Sequence, residues 1–191
     1  MTPLTRKCVQ LWLAWCAAHG LSVGTFIWLL ASLERQSILN GGSTAIAVLF
    51  SVGVIACIQQ VLLRSAGWSA RWWWIATYLG IVVGTLVGVV VPVGFLLSTF
   101  ACGMALGAVQ MRSCEQLCKW PILWPIFTGF GVTAGATQFL LAMSSPGASI
   151  DPFRAYLIGL AAGASYGAFT GIGLAVHIDG SESPDSFKTG S

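Results

Sequence analysis

The chain has 191 residues, of which 56% are hydrophobic and only 8% charged, with a net charge of +3. A water-soluble domain carries about a quarter of its residues as Asp, Glu, Lys and Arg, so lipid is the expected solvent for most of this one. The nine Lys and Arg are scattered between apolar runs rather than gathered in a stripe, which leaves no footprint for nucleic acid.

A hydrocarbon core of about 30 Å needs roughly 20 apolar residues in a helix. Six stretches meet that need, at about residues 8–33, 43–63, 72–91, 93–111, 120–143 and 153–176. The third and fourth are joined by an uncharged turn, with Pro92 and Gly94 as the break. The first follows Arg6 and Lys7 as a signal peptide would, but it is too long for one and is expected to stay in the mature chain. The predicted fold is therefore all-α, an integral membrane bundle of six transmembrane helices over residues 1–176. Residues 177–191, rich in Gly, Ser and Pro and carrying Asp179, Glu182 and Asp185, are expected to form a disordered cytoplasmic tail.

Basic residues set the predicted orientation. With the N-terminus inside, the inner segments hold Arg6, Lys7, Arg64, Arg71, Arg112, Lys119 and Lys188, against Arg35 and Arg154 outside. Trp12, Trp15, Trp68, Trp72, Trp73, Trp74, Trp120 and Trp124 would anchor the inner interface and Trp28 the outer one. Both termini are expected in the cytoplasm.

One pattern occurs twice. Gly53 leads by seven positions to Gln60, then a loop with Arg64 and Arg71, then Trp73, Gly80 and Gly84; Gly103 leads by the same interval to Gln110, then Arg112 and Lys119, then Trp124, Gly131 and Gly135. Helix six carries Gly159, Gly163 and Tyr166 at the spacing of Gly103, Gly107 and Gln110, and helix one places Gly20 and Gly24 after Trp12 and Trp15. The expectation is three repeated two-helix units around an axis along the membrane normal. Gly80 and Gly84, Gly103 and Gly107, Gly131 and Gly135, and the run Gly159, Gly163, Gly167 and Gly171 each share a helix face at a spacing of four, the arrangement that lets backbones meet in lipid. Such a face serves internal packing, a flat ligand or another subunit.

Few polar groups lie at membrane depth. His19 sits near the middle of helix one, where an imidazole hydrogen-bonds between helices or ligates a haem iron or chlorophyll magnesium. Gln60, its neighbour Gln59, and Gln110 lie a turn inside the inner ends of helices two and four, as helix ties, as amide ligands to a pigment magnesium, or as the mouth of a path for a neutral solute. With Tyr166 in the corresponding place, His19, Gln60, Gln110 and Tyr166 are the candidate ligand-binding residues. The six cysteines read as small membrane residues rather than a disulfide framework or a zinc site. The chain holds no His-Glu-x-x-His, Gly-x-Ser-x-Gly, P-loop or paired carboxylates at one face, so no enzyme activity is expected.

The repeated Gly-x6-Gln, basic loop, Trp-x6-Gly-x3-Gly pattern of helices two to five resembles that of uncharacterised polytopic proteins of cyanobacteria and other bacteria with Gln- and Trp-rich hairpins. The resemblance implies a bacterial inner or thylakoid membrane and an internal duplication, and transfers no activity. The sequence reading is a membrane scaffold or assembly subunit whose glycine faces meet a membrane protein partner, a second copy or a lipid-like ligand. The alternatives are a small transporter or channel for a neutral solute and a pigment- or quinone-binding subunit.

Overall fold

The structure, a computed structural model, describes residues 3–38, 40–90, 94–143 and 151–179. Among them the chain forms six α-helices and one short 3-10 helix, with no strand. They are α1 (Pro3–Arg35), α2 (Gly41–Ser65), α3 (Trp73–Val90), α4 (Phe95–Met111), the 3-10 turn Glu115–Lys119, α5 (Leu123–Met143) and α6 (Pro152–Asp179). Five are long and apolar enough to cross a membrane; α4, with 17 residues or about 25 Å at 1.5 Å per residue, is the short one. Outward side chains match a hydrocarbon solvent: Ile46, Phe50, Val89 and Leu141 are each more than 60% exposed.

Local chemistry sets the ends. Asn40 caps α2: its side chain accepts from Ser43 N at 2.9 Å while the Ser43 hydroxyl accepts from Asn40 N at 2.8 Å. Past α2, Gly67 takes φ +81°, and Gly94 opens α4 at φ +100°, conformations that cost a side chain dearly. The expected break at residues 91–93 lies outside the described residues. At the other end α6 runs on through His177, which is fully buried, so the helix ends three residues beyond the boundary expected from hydropathy. The rest of the expected tail, residues 180–191, is outside the described residues.

Each helix packs on its neighbours in chain order, and α6 returns to α1, closing a ring. Glycines bring several of these helix pairs into close contact. A Cβ added at Gly84 would stand 2.7 Å from the Cys102 carbonyl of α4; at Gly103, 2.7 Å from Gly129 Cα of α5; at Gly135, 3.0 Å from the Ala162 carbonyl of α6. Gly80 and Gly107 are as tight against Leu106 and Pro125, and Gly131 meets Tyr166. On α6, Gly159, Gly163, Gly167 and Gly171 lie against Val23, His19, Cys16 and Trp12 of α1. Backbone approach of this kind is what glycine offers where lipid removes the hydrophobic drive between helices. The α6 glycine face is thus covered by α1, which leaves it no room for a flat ligand or a second subunit. No glycine of α1 faces α2, and α2 sits most loosely in the ring.

The ring is filled at one end. Trp15, Leu63, Trp68, Ala70, Trp73, Cys114, Leu117, Trp124 and Leu174 form a buried cluster, and the loops after α2 and α4 close beneath it, joined where Ser69 N donates to Gln116 Oε1 at 3.3 Å. Trp15, Trp68, Trp73 and Trp124 are therefore core residues rather than interface anchors. Trp72, Trp74 and Trp120 are the exposed tryptophans of that end, at 45% or more. Packing against facing helices won over the anchoring preference, and for Trp15 and Trp73 the buried indole N–H also finds a partner on another helix.

Candidate functional site

Three indoles meet on the ring axis. The centroids of Trp15 (α1), Trp73 (α3) and Trp124 (α5) are separated by 6.4, 6.4 and 5.8 Å, each pair edge to face. Four residues on from each stands a polar side chain that donates to the tryptophan's own carbonyl: His19 Nδ1 to Trp15 at 2.8 Å, Thr77 to Trp73 at 2.9 Å and Thr128 to Trp124 at 2.8 Å. The carbonyl can only accept, so His19 carries its proton on Nδ1.

The even-numbered helices bridge these positions. Trp73 Nε1 donates to Gln59 Oε1 at 2.8 Å, and Gln59 Nε2 donates to His19 Nε2 at 2.6 Å. One chain of hydrogen bonds thus ties α3 to α2 to α1. Trp15 Nε1 donates to Thr170 Oγ1 of α6 at 2.8 Å, and Gln110 Nε2 donates to Thr77 Oγ1 at 3.1 Å. Gln110 Oε1 and Trp124 Nε1 are buried without a hydrogen-bond partner among the described residues. Gln59 precedes Trp73 by 14 residues, the interval that separates Gln110 from Trp124.

Of the residues proposed from sequence, His19, Gln110 and Tyr166 come together in this layer, with the Tyr166 ring 4.8 Å from that of His19. Gln60 does not. Its neighbour Gln59 is the buried amide, 2% exposed, and makes both bonds. A single position of helical phase separates them, and the choice follows from which faces α1 and α3. Both nitrogens of His19 are engaged, so it offers no lone pair to an iron or magnesium in this arrangement. Thr170, a turn beyond Tyr166, is the residue sequence reasoning missed; its signal was the four-residue spacing from Tyr166 on the glycine-bearing helix.

Beyond the layer lies a chamber of about 350 Å³, open over part of its surface, between α1, α2, α5 and α6. Phe26, Ile27, Val52, Ile55, Val132 and Phe139 are among its walls, and Tyr166 and Ser51 are the hydroxyl-bearing side chains lining it. Gly131, Gly135 and Gly163 lie at its α5–α6 side. Phe26 and Ser51 also line a groove of about 250 Å³ between α1 and α2, so these two side chains form part of the partition between chamber and groove.

No known protein family, curated protein or solved structure matches the chain.

Proposed function

We propose that this chain crosses a bacterial inner or thylakoid membrane six times, with both termini in the cytoplasm, as three repeated two-helix units. The units pair α2 with α3, α4 with α5 and α6 with α1; the three indoles with their back-bonded His19, Thr77 and Thr128 support that reading. Its function is that of a non-enzymatic membrane subunit holding a lipid-like, weakly polar molecule of quinone or isoprenoid-pigment class. The observation that carries this is the apolar chamber of about 350 Å³, within the range of small-ligand sites, whose hydroxyls among the described residues are those of Ser51 and Tyr166. The ligand enters from lipid between α1 and α2, the contact without glycines, past Phe26 and Ser51. A path for a polar solute is less well supported, because the indole triad fills the axis at one end of the ring.

The test is purification in mild detergent, followed by an absorption spectrum and mass spectrometry of extracted quinones and pigments. A stoichiometric apolar molecule is expected with the wild-type chain and lost from Ala136→Trp, whose indole would occupy the chamber while thermal stability is retained. Equal recovery from both proteins would remove the chamber from the account.

A further inference from the structure

A further cleft, open along its length, lies outside the ring between α3 and α4, with a volume of about 590 Å³. Its walls are apolar: Ile75, Ala76, Leu79 and Val83 from α3, Ala105, Ala108 and Val109 from α4. Only one end is polar, where Arg112 and Ser113 close it beside Trp72. The guanidinium carbon of Arg71 stands 5.6 Å from the centroid of the Trp72 ring, so a second cation is held at the same end. Trp72, Arg71 and Arg112 are all exposed; Glu115, on the following 3-10 turn, is the nearby acid in sequence and Lys119 closes that turn.

The dimensions name the occupant. From Trp72 to Val83 the α3 wall rises about 16 Å at 1.5 Å per residue. That is close to half of a hydrocarbon core of about 30 Å, the depth of one leaflet. A cleft one leaflet deep, dry along its length, with cations and an indole at its mouth, has the shape and charge of a bound phospholipid. We infer that it is a binding site for an anionic phospholipid, with an acyl chain along Leu79 and Ala108 and the phosphate between Arg71 and Arg112. The geometry holds whichever leaflet this end faces, and the site is separate from the central chamber.

The full chain, reconstituted in nanodiscs of equimolar phosphatidylglycerol and phosphatidylcholine, is released into native mass spectrometry and the retained lipids are counted. The wild type is expected to keep phosphatidylglycerol preferentially. A basic residue at a membrane surface favours anionic lipid by roughly fivefold, so Arg71→Ala with Arg112→Ala should lower the preference by roughly 25-fold at most, while Arg6→Ala, as a control, should leave it unchanged. Ala108→Trp, which fills the cleft, should reduce retention of both lipids. Displacement of phosphatidylglycerol by glycerol 3-phosphate would show a headgroup site without a chain cleft and overturn the assignment. Unchanged preference in the arginine pair would do the same, and because both side chains are exposed that variant decides the matter even if Ala108→Trp fails to fold.

Discussion

Replacing Gln59 with leucine keeps the side-chain volume and removes both hydrogen bonds of its amide. Trp73 Nε1 and His19 Nε2 then lose their partners in the buried layer. Interhelical side-chain hydrogen bonds in membranes are worth about 0.6 kcal/mol on average and about 1.7 at most, so two of them give a loss of about 1 to 3 kcal/mol. Gln110→Leu removes one longer bond, to Thr77, and takes away a carbonyl oxygen that has no partner among the described residues, so about 0.5 kcal/mol is expected. Reversible unfolding by SDS titration in mixed micelles reads the difference. Trp73→Phe should cost less in the Gln59→Leu background than in the wild type, because the indole N–H is already unpaired there. If Gln110→Leu destabilises as much as Gln59→Leu, or if the two changes at Gln59 and Trp73 add without coupling, the chain of bonds linking α3, α2 and α1 is not what holds this layer.

Gly103→Ala should destabilise by about 1 to 3 kcal/mol through overpacking, since its Cβ would press on Gly129 Cα, which cannot rotate away. Gly88→Ala should be neutral or stabilising by up to about 1 kcal/mol, because its Cβ meets Cys102 and Ser98 only at 3.6 and 3.7 Å and the helix gains propensity; the same titration separates the two. A water-soluble maleimide should label Cys118, which is exposed, and spare Cys114, which is 1% exposed and whose thiol pKa burial raises above the usual range. Applied to sealed vesicles of known orientation, that reagent should reach Cys118 only from the cytoplasmic side; labelling from the opposite face would reverse the proposed topology.

Composition and spacing were enough to establish helices with an apolar exterior and to mark where backbones could approach. Gly80 and Gly84, or Gly159 and Gly163, carry that message because a four-residue interval repeats nearly the same azimuth on any helix, whatever it meets. Hydropathy placed the helix ends to within about five residues: α1 begins at Pro3 rather than residue 8, and α6 continues through His177, since a histidine counts against a span in a window average, yet this one is buried with Nδ1 bonded to Gly173 O at 2.6 Å. Four tryptophans expected at the interface lie in the core because the sequence carries indole chemistry but not the azimuth of its neighbours.

Alone, then, the order of residues determined that the chain is helical, that its surroundings suit hydrocarbon and that glycine lines particular faces, since each of these depends on side chains within one helix. Tertiary structure decided the partners. The closure of α6 on α1 spends the longest glycine face internally, the meeting of three indoles sets the filled end apart from the chamber, and the choice of Gln59 over Gln60 rests on about 100° of helical phase that only packed neighbours can fix.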